Sequence, residues 1–153
     1  MPRRGKLQGS EFERLARVVQ ARREKYQFLL TAWVFLPDHW HAIILPRYPL
    51  TISRVMESIK VGSTQRLNSS RRESGLLWQP RFFDRAVRTV QEYYEKVECI
   101  HLNPVRAGLV ERAEDWPWSS VRDYGGNLSA VASAHPILRI DRILLPADAR
   151  TRI

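Results

Sequence analysis

The sequence has a single cysteine, Cys99, among 153 residues. One thiol cannot build a disulfide framework, and without a second cysteine no Cys-based zinc ribbon forms. Long apolar runs are missing too. The longest, from Phe28 to Leu36, is too short to cross a bilayer, and the N-terminal MPRRGKLQGSEF has no apolar signal core. The expectation is a soluble cytoplasmic protein with no membrane partner. There is no Gly-rich phosphate loop, no G-x-S-x-G and no H-E-x-x-H, which leaves kinases, serine hydrolases and zinc peptidases without a motif. Acidic residues are scarce: 16 Asp and Glu face 25 Lys and Arg, a formal charge of +9. The pI is near 10.4. Such a balance favours a polyanionic partner, nucleic acid before membrane. Lysine is rarer still, only four of the 25 basic residues. The arginines grip phosphate with a flat fork, although a GC-rich genome produces the same bias.

What is present suffices for one core. The apolar fraction is 44%, which excludes disorder throughout and fits one domain at this length. Residues 1–9 read as a loose basic N-terminus. Ser10 and Glu13 have capping-box spacing, and Phe12, Leu15, Ala16, Val18 and Val19 predict an amphipathic helix over roughly 11–25. Aromatic and β-branched residues predict a strand over 26–36, a Pro37-Asp38 turn, and a second strand over 39–45. Thr51 can cap a helix from Ile52 to about Leu67, followed by a polar loop over 69–75. Phe82 and Phe83 are expected to plug the core. A third helix is predicted from Thr89 to Leu102, stopped by Asn103-Pro104. Residues 10–124 thus form one α+β domain with no internal repeat. The tail over 125–153 has no pattern to read.

Three constellations carry chemistry. In His39-Trp40-His41, strand alternation sends both imidazoles to one face and the indole to the other. Two adjacent imidazoles are half of a metal site, although two half-exposed strand histidines give the same pattern. On the third helix Cys99 and Asn103 are four residues apart and share a face, with Glu92 and Glu95 close to it. A helix-closing Asn and a small buried thiol are the plain alternatives. Finally, Arg54, Lys60, Arg66, Arg71, Arg72, Arg81, Arg85, Arg88 and Arg106 run through the middle of the chain with Trp78, Phe82 and Phe83 among them. That mixture suits a phosphate track with stacking platforms, or a solvated surface over a core.

Four segments in order, AWVFLPDHWHAIILP, LWQPRFFDRAVRT, IHLNPVRAGLV and WPWSS, resemble the REP-associated tyrosine transposases, members of the HUH single-strand DNA endonucleases. The resemblance covers roughly 10–124. It implies a ferredoxin-like α+β fold around a central antiparallel sheet. It makes His39 and His41 ligands of Mg²⁺ or Mn²⁺, with Asn103 assisting. The implied substrate is single-stranded hairpin DNA, cleaved and rejoined when a tyrosine attacks a metal-polarised phosphate. Arg54, Lys60, Arg66, Arg71, Arg72, Arg81 and Arg85 would hold the hairpin. A bacterial, nucleoid-associated monomer or homodimer is the implied setting.

The sequence departs from that family twice. Where the family reads Tyr-Ile-x-x-Asn-Pro, this chain reads Cys99-Ile100-His101-Leu102-Asn103-Pro104. A cysteine sulfur reaches roughly 3 Å from its Cα and a tyrosine oxygen roughly 6.5 Å, a deficit that matters when attack needs near-contact geometry. Tyr93 and Tyr94 point elsewhere around the helix, while Tyr48 and Tyr124 stay open as substitutes. The family also usually has a strand before the first helix. Here the sheet either lacks it, leaving an open edge, or takes it from a partner chain. Two readings follow: a transposase, or a hairpin-binding protein that keeps the fold and metal site without the chemistry. A generic basic nucleic-acid-binding protein with structural histidines is a weaker third. Decay, repurposing or an engineered substitution each account for Cys99.

Overall fold

The computed structural model describes residues 6–79, 82, 84–124 and 135–143. Its centre is an antiparallel hairpin of β1 (Leu29–Phe35) and β2 (Trp40–Leu45). The Pro37-Asp38 turn joins them, closed by Leu36 N–H donating to the His39 carbonyl at 2.8 Å. Residues 30–36 are all buried, because both faces of the hairpin are covered, and that explains why they are apolar apart from Thr31. A register irregularity between Leu30 and Ala32 flips the side-chain parity of β1. Leu30, Trp33 and Phe35 therefore face one layer, and Ala32, Val34 and Leu36 the other.

The first layer is α1 (Ser10–Tyr26) and α2 (Ile52–Arg71). Leu15, Ala16 and Val19 of α1 and Val55, Ile59 and Leu67 of α2 pack with Trp33 and Phe35. Thr51 caps α2 as expected, accepting from Arg54 N–H at 3.3 Å. The Ser10–Glu13 capping box does not form. Ser10 already lies inside α1, Glu13 pairs outward with Arg17 at 2.8 Å, and the Gln8 N–H donates to Glu11 Oε1 instead. α2 runs to Arg71, beyond the expected end at Leu67, into the segment read as a polar loop. Arg72 stops it in the left-handed conformation. Trp78 is core: its indole N–H donates to the buried Ser63 hydroxyl at 2.8 Å. Phe82 is half-buried under the Lys60 ammonium, 5.4 Å from its ring centre, and Phe83 lies outside the described residues.

The second layer is α3 (Val90–Arg106), which buries Tyr93, Val97 and Ile100 against Ala32, Val34, Leu36 and Ile43. Thr89 caps its start by accepting from Glu92 N–H at 3.0 Å. The expected stop at Asn103-Pro104 is overridden. Pro104 is buried inside the last turn, and Gly108 at φ 73° ends the run. A proline one turn from a helix end removes only one hydrogen bond, so its packing prevails.

Among the described residues no strand precedes α1. Leu7, in the segment expected to be loose, is buried and donates its N–H to the Pro37 carbonyl at 2.7 Å. The outer edge of β1 is covered by its own chain. Phe35 N–H donates to Trp118 O at 2.9 Å, and Ser120 N–H donates to Trp33 O at 3.0 Å. Asp141 N–H donates to Leu30 O at 2.7 Å. Leu138 is wholly buried, and its carbonyl accepts from the Trp33 indole at 3.2 Å. Part of the unread tail is thus an edge cover.

Candidate functional site

The site forms where β2 leaves its turn. His39 immediately precedes β2 and His41 is its second residue, so the pleat brings both rings to one side. Their centres are 4.9 Å apart and nearly perpendicular, at 86°. Trp40 points the opposite way and packs edge-on to Phe35 at 5.9 Å. This is the split that strand alternation predicts.

Asp38, which sequence reasoning passed over as a turn residue, completes the pair. Its Oδ1 is 2.6 Å from His39 Nδ1. That hydrogen bond, ahead of other causes, holds the Asp38 carboxyl below its ordinary range. An ionised carboxylate only accepts, so Nδ1–H donates to it and the ring is held with Nε2 directed away from Asp38. His41 has an exposed edge, yet nearby protein strips water from its charged form. Desolvation first, then the charges of His39 and Lys96, lower its pKa. A neutral imidazole is the form that binds a metal.

These residues fit a hard divalent cation. Two imidazoles, one oriented by a carboxylate, can supply nitrogen donors, and an amide oxygen such as that of Asn103 is a further donor of the right kind. Among the described residues no group of three or more His, Cys, Asp or Glu converges on one point. Remaining positions would fall to water or phosphate oxygens, as is usual for Mg²⁺.

α3 crosses the same side of the hairpin and contacts β2. Cys99 is exposed on it, and Asn103, one turn on, is half-buried. Glu92 and Glu95 do not join them. Glu92 Oε2 accepts from Arg88 N–H at 3.0 Å, and Glu95 Oε1 accepts from Gln91 at 3.1 Å. The alternative tyrosines are otherwise engaged or distant. Tyr93 and Tyr124 join hydroxyls at 2.9 Å, Tyr124 donates to the Thr31 carbonyl, and burial pushes the Tyr124 phenol far up. Tyr48 is 93% exposed, but beyond Leu45 at the opposite end of β2. His101 is buried, with Nε2 2.8 Å from Ser120 Oγ and its pKa pushed down to about 4 by desolvation. That ring belongs to the core.

The expected basic residues divide by their partners. At 100° per residue, Arg54, Lys60 and Arg66 are about 120° apart around α2, so no one face holds all three. Lys60 Nζ donates to the Gln79 carbonyl at 2.8 Å. Arg71 is half-buried and bound to Glu11, with Nε 2.5 Å from Oε2. Arg85 is exposed, 3.9 Å from Glu92, and Arg54 is exposed, 3.8 Å from Glu57. Arg66 and Arg72 are exposed, and Arg81 lies outside the described residues. Because Leu7 binds Pro37 and Glu11 binds Arg71, the C-terminal end of α2 lies on the turn side of the hairpin. Arg66 and Arg72 are therefore at the histidines' end of the molecule, and Arg54 is at the other.

A histidine pair opening an antiparallel strand, with α3 packed across the same side, defines the class: an α+β domain of the HUH nuclease fold. The family model described as Transposase IS200 like matches residues 2–98, stopping just before Cys99. The REP-associated tyrosine transposase of Escherichia coli K12 is 32% identical over 119 residues, covering 77% of this chain and 69% of its own. A Haemophilus influenzae relative is 33% identical over 125 residues, covering 68% of this chain and 70% of its own. A solved structure of a REP-associated tyrosine transposase bound to a REP hairpin superposes with a TM-score of 0.71 at 30% identity. That match covers 94% of this chain and 87% of the other. The chain belongs to the IS200-like transposase family, and within it to the REP-associated tyrosine transposases.

Proposed function

We propose that this chain binds imperfect-palindrome hairpin DNA and holds the adjoining single strand at His39 and His41, without tyrosine strand transfer. The observation that carries this reading is the composition of the site. The histidine pair is intact and braced by Asp38 at 2.6 Å, while the facing helix offers exposed Cys99 instead of a tyrosine. A hairpin-bound relative of the same fold supports the choice of ligand. Arg66 and Arg72, exposed at the histidines' end, would track the hairpin backbone, with Arg54 and Arg85 as outlying contacts. Lys60 and Arg71 are committed to internal partners and would contribute through shape and field.

His39, His41 and Asn103 would hold Mg²⁺ or Mn²⁺. When bound, such a cation polarises a non-bridging phosphate oxygen. Asp38 fixes the His39 tautomer. Cys99 reaches several ångströms less far than a tyrosine oxygen, so the phosphate would be held without being attacked.

The test uses labelled single-stranded hairpin DNA from the chain's own genomic neighbourhood, with Mn²⁺, read on a denaturing gel. The chain as given should bind without a covalent adduct. Cys99→Tyr should form one, and adding His39→Ala/His41→Ala should abolish it. An adduct on the unaltered chain would overturn the reading and make it an active transposase with another nucleophile.

A further inference from the structure

One charged group at the site has no partner and no role in the reading above. Lys96 lies on α3 three residues before Cys99 and seven before Asn103, so the three side chains fall within an arc of about 60°. α3 packs over the face of β2 that carries Ile43, and His41 shares that face two residues earlier. The Lys96 side chain is exposed. On a helix such a lysine usually pairs with a carboxylate three or four residues away. Here the candidate four residues earlier, Glu92, is turned to the Arg88 N–H at 3.0 Å and to Arg85 at 3.9 Å. Glu95 is taken by Gln91 at 3.1 Å. Among the described residues no carboxylate forms an ion pair with this ammonium, which belongs to one of only four lysines in the chain.

Building a lone cation beside a centre that would itself gain positive charge is unfavourable unless an anion is shared between them.

We propose that Lys96 is a substrate-binding residue that grips the phosphodiester of the single strand flanking the hairpin. The proposal rests on the hairpin-binding reading and deepens it by naming a contact to the flank. The ammonium donates to a non-bridging oxygen on the α3 side of the strand, as the histidine pair faces it from the β2 side. Arg66 and Arg72 serve the paired region. Lys96 serves only the unpaired one.

The experiment measures Kd by fluorescence anisotropy on the full chain, in EDTA so that no metal contributes. Two probes are used: a hairpin with single-stranded flanks on both sides, and the same hairpin without flanks. The variants are Lys96→Ala, Lys96→Arg and Lys25→Ala. The last removes an equal charge at the far end of α1, where the ammonium lies 5.4 Å from the Tyr26 ring centre. Lys96→Ala should weaken flanked-hairpin binding about five- to tenfold and make the salt slope about 0.7 shallower. It should leave the unflanked hairpin unchanged. Lys96→Arg should restore most of the loss, and Lys25→Ala should cause little. Equal loss on both probes, no loss on either, or a matching loss in Lys25→Ala overturns the assignment to Lys96 while hairpin binding stands. If the unaltered chain binds neither probe, the hairpin reading fails and takes this proposal with it. Circular dichroism of each variant separates lost binding from lost fold.

Discussion

At the scale of single residues, the site is governed by which atoms are already occupied. Asp38 engages one nitrogen of His39 and so presents the other. Asp38→Asn should therefore weaken Mn²⁺ binding about ten- to a hundredfold, measured by calorimetry, with the fold intact. His101 makes the contrasting prediction. Its pKa is about 4 in the fold against 6.5 in an unfolded chain, so the unfolded state takes up the proton first as pH falls. The stability it contributes is complete above about pH 6.5 and is lost progressively towards pH 4. Denaturant titrations at pH 7 and pH 4.5 should differ by about 2 kcal/mol more in the unaltered chain than in His101→Gln. The histidine pair is legible in the sequence because a strand has period two and Pro37-Asp38 marks where it restarts. The roles of Asp38 and Lys96 were hidden for different reasons. Asp38 reads as a turn former. Lys96 gains meaning only once α3 is known to lie over β2, although its three-residue spacing from Cys99 was available.

At the scale of elements, the two helical layers depend on different devices. The start of α1 and the end of α2 are joined by Glu11 and Arg71, whose side chains are 14% and 15% exposed. The Arg71 hydrogen bond, ahead of other causes, lowers the Glu11 pKa, so this contribution is present above the ordinary Glu range and lost below it. Glu11→Gln should cost about 1–3 kcal/mol at pH 7, read from urea unfolding, and its cost should shrink near pH 3. α3 teaches a separate lesson about reading sequence. Asn-Pro ordinarily stops a helix, and the local rule points to Leu102. Pro104 is instead buried against the fold, and tertiary packing carries the helix to Arg106. The Ser10–Glu13 spacing misleads in the same way, since Glu13 has a better partner in Arg17.

At the scale of the whole molecule, a two-stranded hairpin is marginal alone and needs cover on both faces and its free edge. The faces follow from periodicity and are legible. The edge cover is not. Leu30 N–H bonds an Asp141 carboxylate 111 residues away, and no local pattern announces so distant a pairing. Leu138→Ala should cost about 2–4 kcal/mol of stability. Ending the chain at Tyr124 should add concentration-dependent association through the uncovered β1, seen by light scattering. Net charge acts at this scale as well. With +9 overall, hairpin affinity should fall with a log–log salt slope of about −3 to −5, as expected for four to six phosphates. A flat salt response would count against a backbone-held hairpin.

The lone exposed thiol also has a practical consequence. Because Cys99 is the chain's only cysteine and is exposed on the helix that packs over β2, a maleimide dye would attach at one defined point without mutagenesis. This residue is thus a ready footprinting reporter. Its alkylation rate should slow when flanked hairpin DNA is bound and recover when a nuclease digests that DNA.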